Sequence, residues 1–164
     1  MVVWLLAAGT GVSYSVVAER RNRLSQLGEM EHSLKRLAYY MYQWRLPIKD
    51  AIAYAAKEEK DVLQKFYLGL HETLVQQQTE DFDMLWQEES GKIWNHIPEE
   101  IQRIWNESFV NIPMEPEALN KRLTERAERI ADYVLELQEK YKGEQKLVFT
   151  MGFFVSAFFC LILL

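Results

Sequence analysis

The sequence is poor in the residues that build disulfide frameworks, cysteine-based metal sites and flexible linkers. Its 164 residues include one cysteine, Cys160, so no disulfide can form within a single chain. Seven glycines and four prolines are too few for linker or low-complexity regions. The composition therefore predicts an ordered chain whose stability does not depend on cross-links.

Charged residues are absent from both ends of the chain. Every lysine, arginine, aspartate and glutamate lies between Glu19 and Lys146, so residues 2–18 and 147–164 carry none. A helix of this length spans about 26 Å, close to the thickness of the hydrocarbon core of a bilayer. The sequence therefore predicts transmembrane helices at 2–18 and 147–164, with a domain at 19–146 between them.

Each apolar segment has one alternative interpretation. The first could be a secretory signal peptide, although its basic residues follow the apolar run instead of preceding it. The second could be a buried core helix, although such helices rarely stay apolar on every face up to their last residue.

Basic residues flank both apolar segments on the side of the central domain. Cytoplasmic flanks are enriched in lysine and arginine, so the central domain is predicted to be cytoplasmic, with both termini across the membrane. The residues concerned are Arg20, Arg21 and Arg23 after the first segment, and Lys140, Lys142 and Lys146 before the second.

Small residues recur every four positions in both apolar segments. This spacing lets helix backbones approach closely in lipid, so the segments are predicted to pack on each other or on partner helices. The positions are Ala7, Gly11 and Ser15 in the first segment, and Gly152, Ser156 and Cys160 in the second.

The central domain has the three- and four-residue apolar spacing of amphipathic helices, and no stretch alternates for long with the period of a strand. The prediction is an all-α domain of about six helices. The last is expected to continue into the second apolar segment, with Gly143 as a weak point. The predicted helical ranges are 24–41, 47–59, 61–77, 80–94, 99–109 and 115–142.

Acidic residues concentrate in the middle of this domain. Residues 57–120 carry 14 acidic and five basic side chains, which favours a basic partner surface. The alternative is an ordinary solvated surface. The densest cluster, predicted to bind a partner, is Glu80, Asp81, Asp83, Glu88 and Glu89.

No residue pattern predicts catalysis, a cofactor site or a metal site. His32, His71 and His96 are far apart in sequence, and neighbouring glutamates such as Glu58 and Glu59 do not face each other on a helix. No nucleotide or small-molecule motif is present. The net charge of −5 argues against nucleic-acid binding.

Three segments in fixed order resemble the stage III sporulation protein AB family over essentially the whole chain. They are ERRNRLSQLGEMEHSLKRLAYYM at 19–41, LPIKDAIAYAA at 46–56 and EKYKGEQKLVF at 139–149. The glycine often found shortly before the proline of the second segment is absent, and Trp44 and Arg45 stand there instead.

The resemblance implies a cytoplasmic domain similar to the repeat of the type II secretion F platform protein. It also implies a non-enzymatic scaffold in the channel complex between mother cell and forespore, in the mother-cell membrane around the forespore. The implied partners are an ATPase like stage III sporulation protein AA, the other membrane proteins of the stage III sporulation A complex and the lipid bilayer.

Three other functions remain open. The first is a platform subunit of a pilus or type II-like secretion system, although such proteins usually have two of these domains and three spans. The second is a membrane-anchored sensor or helical binding module. The third, a membrane enzyme, is disfavoured because intramembrane catalysis requires polar groups within the spans.

Overall fold

The structure is a computed structural model that describes residues 2–76, 81–94, 96–111 and 115–162. Side chains are described from residue 17 to residue 144 within these ranges. The described residues form six helices and no strand. The helices are α1 (Val2–Gln43), α2 (Ile48–Glu58), α3 (Asp61–Gln76), α4 (Phe82–Ile93), α5 (Glu99–Asn106) and α6 (Pro116–Ile162).

Prolines and one aspartate set the beginnings of four helices. Pro47 and Pro98 directly precede α2 and α5, and Pro116 is the first residue of α6, where its missing N–H and fixed φ are tolerated. The Asp81 side chain accepts a hydrogen bond of 3.2 Å from the Met84 backbone N–H and caps α4. The predicted all-helical fold is confirmed, although α5 ends three residues earlier than expected. α6 passes Gly143 without a break.

The chain divides into two compact units, and the larger one comprises Ser25–Ala131. In this unit α2 packs on α3, α3 on α4 and α4 on α5. The apolar residues with three- and four-residue spacing form the buried faces of the two long helices. Those faces are Leu27, Met30, Leu34, Leu37 and Met41 on α1, and Leu119, Leu123, Ala127 and Ile130 on α6.

Aromatic residues fill the centre of the larger unit. Trp86 and Trp105 are fully buried, and their rings stack with centroids 5.1 Å apart. Phe66 meets the Trp86 ring edge-on at 4.8 Å. The Trp86 indole N–H donates to the Trp105 carbonyl at 2.8 Å, so this polar atom is satisfied inside the core. These three residues are called the aromatic core below.

The smaller unit comprises Met1–Leu24 and Asp132–Leu164, and Arg20 joins its two chain segments. Arg20 Nη2 lies 2.8 Å from Glu144 Oε2, and its guanidinium lies 4.7 Å from the centre of the Tyr141 ring. A salt bridge and a cation–π contact therefore hold α1 beside α6 at this level. We call this contact the Arg20 clamp.

No helix in the described ranges is long and apolar enough to cross a membrane. The side chains of residues 2–16 and 145–164 lie outside the described residues. The transmembrane helices at 2–18 and 147–164 therefore remain predictions. The same holds for Lys146 and for the small-residue positions Ala7, Gly11, Ser15, Gly152, Ser156 and Cys160.

Candidate interaction surfaces

The acidic cluster predicted from the sequence lies at and within α4, and most of its members have intramolecular partners. Asp81 caps the helix, and Asp83 accepts a hydrogen bond from the Gln87 side chain at 2.9 Å. Glu88 is exposed and lies 3.3 Å from the Lys92 ammonium group. Glu80 lies outside the described residues.

Glu89 belongs to the contact between α3 and α4, where it is only 6% exposed. Its Oε1 accepts hydrogen bonds from Thr73 at 3.3 Å and Lys92 at 2.6 Å. The bond to Glu89 raises the pKa of Lys92. A Cβ at Gly69 would lie 2.7 Å from the Glu89 carboxylate, so glycine leaves the space that this side chain occupies. The structure therefore places Glu89 inside the helix contact, while Asp81, Asp83 and Glu88 reach the surface.

Three aromatic side chains form an exposed patch at the junction between α1 and α2. Tyr39, Trp44 and Tyr54 are 50%, 48% and 44% exposed. The Trp44 ring centre lies 5.9 Å from that of Tyr39 and 5.7 Å from that of Tyr54, with both pairs close to edge-on. This aromatic surface is the largest group of neighbouring exposed rings among the described residues. Large apolar side chains exposed together commonly mark sites of protein contact.

A buried tyrosine supports the aromatic surface from below. Tyr40 is 4% exposed, and its ring centre lies 5.1 Å from that of Trp44. Its hydroxyl donates to the Glu58 carboxylate on α2. Burial and this hydrogen bond raise the pKa of Tyr40 to about 12. Trp44 therefore rests on a side chain that is itself fixed between two helices.

A second polar contact fixes the same pair of helices. Arg36 donates to one oxygen of Glu59 through Nε at 3.1 Å and through Nη2 at 2.5 Å. Glu59 is buried and occupies the C-cap of α2. Because a buried carboxylate without a partner is costly, this ion pair ties the end of α2 to α1.

The loop between α1 and α2 contains a strained backbone position. Arg45 has a φ of 54°, in the left-handed region where side chains cost about 1 kcal/mol or more. The loop also closes through a hydrogen bond of 3.3 Å from the Leu46 N–H to the Tyr40 carbonyl. The strain lies next to Trp44 and near the position where the resembled family often has glycine, and strained residues are frequent at functional sites.

The aromatic surface was not predicted from the sequence, although a signal for it was present. The segment LPIKDAIAYAA indicated a helix start and the family resemblance, but the aromatic residues before and within it were not predicted to lie together. Four aromatic residues between positions 39 and 44, at and just after the end of α1, are the signal that could have drawn attention to this region. Their exposure depends on how α2 packs, which the local pattern does not give.

The other predicted positions divide between exposed and engaged side chains. Arg21, Arg23, Lys140 and Lys142 are exposed, whereas Arg20 belongs to the clamp. His32 lies 3.1 Å from Glu31, the residue before it in the chain. Within the described ranges, no three His, Cys, Asp or Glu side chains are placed to hold a metal ion.

Comparison with known proteins gives a single family assignment. The family model described as Stage III sporulation protein AB (spore_III_AB) matches residues 1–164. None of the curated proteins and none of the solved structures matches the chain.

Proposed function

The chain belongs to the stage III sporulation protein AB family, and on that premise we propose that it is a non-enzymatic membrane scaffold that docks a cytoplasmic ATPase. The family has a role in sporulation, as a structural component and not as a known enzyme. The proposal adds the mode of action: the helical domain is held at the membrane and presents a fixed surface to a partner protein.

The observation that carries the proposal is the aromatic surface of Tyr39, Trp44 and Tyr54. Tyrosine and tryptophan are enriched at the energetic centres of protein interfaces, because they bury large areas with few rotatable bonds. Here the rings also rest on Tyr40, whose hydroxyl is bonded to α2. A surface fixed in this way loses little conformational entropy on binding.

Attachment to the membrane is supported by the sequence and by the exposure of the basic flanks. Residues 2–18 and 147–164 carry no charge, and Arg21, Arg23 and Lys142 are exposed next to them. Each such cation contributes about 1 kcal/mol near an anionic cytoplasmic leaflet. These features favour a cytoplasmic domain next to a membrane, and the family resemblance adds the proposal that this is the mother-cell membrane around the forespore.

The proposed partner, implied by the family resemblance, is a stage III sporulation protein AA-like ATPase, within a complex of other stage III sporulation A membrane proteins. The aromatic surface is the proposed main contact. The acidic residues Asp83 and Glu88 are a second candidate, because both carboxylates reach the surface of α4. Asp81 and Glu89 are less suitable, since the first caps α4 and the second is buried.

The test compares three variants of the full chain in their recovery with the ATPase from detergent-solubilised sporulating cells. Trp44→Ala is expected to lower recovery at least tenfold, as for loss of an interface tryptophan worth about 1.4 kcal/mol or more. Leu135→Ala is the matched control, because Leu135 is a large exposed residue outside the aromatic surface. Asp83→Lys combined with Glu88→Lys tests the acidic candidate.

The outcomes separate the two surfaces. Loss with Trp44→Ala alone supports the aromatic surface, and loss with the lysine pair alone moves the contact to α4. If all three variants recover the ATPase as the parent chain does, docking through either surface is wrong. A sporulation count for each variant then shows whether the loss of binding has a cellular consequence.

A further inference from the structure

α3 carries an exposed stripe that neither the aromatic surface nor the acidic cluster includes. Lys65, Leu68, Glu72 and Val75 follow one another at intervals of three, four and three residues. All four are exposed, and the two apolar members, Leu68 and Val75, are 46% and 64% exposed. The opposite face of the helix is buried in the core of the larger unit. This stripe is called the α3 seam.

The spacing of the α3 seam is that of positions at which one helix contacts another along its length. Alternating intervals of three and four residues keep side chains on one line of the helix, as in two-stranded coiled coils. The two apolar members alternate with two charged members of opposite sign. The basic residue lies toward the start of α3 and the acidic residue toward its end.

This order of charges is self-complementary in one direction only. In an antiparallel pair of α3 helices, Lys65 of each copy lies beside Glu72 and Val75 of the other, while Leu68 lies near the centre. In a parallel pair, Lys65 faces Lys65 and Glu72 faces Glu72, which is repulsive. The long Lys65 stem can also cover Val75 while its ammonium group reaches the carboxylate.

We propose that the α3 seam is a contact between two copies of this chain, related by a two-fold axis that pairs their α3 helices antiparallel. A two-fold contact uses the same patch on both copies, so each residue must suit its symmetry-related surroundings. The α3 seam meets this condition, whereas a partner surface of one charge would match only one of its two ionic residues. The inference is independent of ATPase docking and of the aromatic surface.

The test uses charge reversal with cross-rescue in the full chain. Copies with two different affinity tags are co-expressed, solubilised in detergent and purified through one tag, and recovery of the other tag is measured. Lys65→Glu and Glu72→Lys are each expected to lower recovery about tenfold when both copies carry the same change. Each change replaces two attractive pairs by two repulsive ones. Lys121→Glu, at an exposed position of α6, is the control and should leave recovery unchanged.

Rescue distinguishes the proposal from simple loss of folding. A Lys65→Glu copy paired with a Glu72→Lys copy regains both attractive pairs, so recovery should return to the parental level. Two differently tagged copies that each carry both changes should also be recovered together. Absence of tag recovery for the parent chain, equal recovery for all variants, or failure of both rescues with folded proteins would each overturn the proposal.

Discussion

The aromatic core and the aromatic surface are both clusters of three aromatic rings at similar distances, yet one is enclosed and the other faces outward. Trp86 and Trp105 lie 5.1 Å apart, as do Tyr40 and Trp44, but Trp86 is fully buried and Trp44 is about half exposed. Ring geometry alone therefore does not distinguish a stabilising cluster from a binding surface. The difference lies in what surrounds the rings.

The aromatic core and the aromatic surface differ in the hydrogen bonds made by the polar atoms around them. In the aromatic core, the Trp86 N–H is satisfied by a backbone carbonyl, and the rings pack against other apolar groups. Below the aromatic surface, Tyr40 and Arg36 bind carboxylates at the end of α2. The core is thus held by burial, whereas the surface is held by polar contacts beneath exposed rings. Four predictions test this distinction.

The largest effect is expected from Trp86→Ala. Removal of the indole leaves a cavity and deletes its hydrogen bond, which should lower the free energy of unfolding by about 3–5 kcal/mol. Trp44→Ala should cost less than about 1 kcal/mol, because the side chain is already half exposed. Urea unfolding of the full chain in detergent, followed by circular dichroism, measures both. Equal losses would contradict the distinction.

Glu59→Gln should have the next largest effect. The amide keeps the shape of the side chain but removes the charge that faces Arg36. This should lower the free energy of unfolding by about 1–3 kcal/mol, and not by more, because Arg36 is partly solvated. Glu125→Gln, which weakens an exposed pair 3.9 Å from Lys121, should change stability by less than about 0.5 kcal/mol. Similar values for both variants would show that the buried position of Glu59 has no energetic importance.

Arg45→Gly is expected to change stability in the opposite direction. Glycine adopts a φ of 54° without the clash that Arg45 suffers, and this gain exceeds its greater flexibility in the unfolded chain. The expected increase is about 0.5–1 kcal/mol by the same urea measurement. Arg23→Gly, inside α1, should instead destabilise by about 1 kcal/mol. A loss of stability with Arg45→Gly would mean that the arginine side chain makes a compensating contact.

The smallest effect, from Tyr40→Phe, is a change in pH dependence. The pKa of Tyr40 is about 12 in the folded chain against 10.0 ordinarily, so its contribution is complete below pH 10 and is lost as the pH rises toward 12. The phenylalanine variant should lose less stability over that interval, after a cost of about 1 kcal/mol or less at neutral pH. Tyr67, whose pKa burial also raises, is present in both chains and cancels in the difference.

The helices could be predicted from the sequence because their signals are local. Pro47, Pro98 and Pro116 stand at helix starts, and the three- and four-residue spacing on α1 identifies the face that becomes buried. Tyr40 lies three residues after Leu37 on this face, so its burial also follows from the pattern. Six helices and their approximate bounds could be predicted in this way.

The surfaces were harder to predict from the sequence, because the exposure of a side chain depends on residues that are far apart in the chain. Glu89 was expected at the surface because it is charged, but Gly69 and Thr73 on α3 create a place for it inside. The exposure of Trp44 was not predicted, because it depends on the packing of α2 and on the backbone of Arg45. These features are set by the arrangement of helices and not by any one of them.

The Arg20 clamp also has a consequence for the time course of protein synthesis. About 120 residues separate Arg20 from Tyr141 and Glu144. At roughly 5–20 residues per second, the ribosome needs on the order of ten seconds to add the later side chains after the first. The Arg20 side chain therefore lacks these two partners while the intervening helices are synthesised and begin to fold. A chain released before Tyr141 cannot form the clamp, so the contact marks a polypeptide whose translation has passed that point.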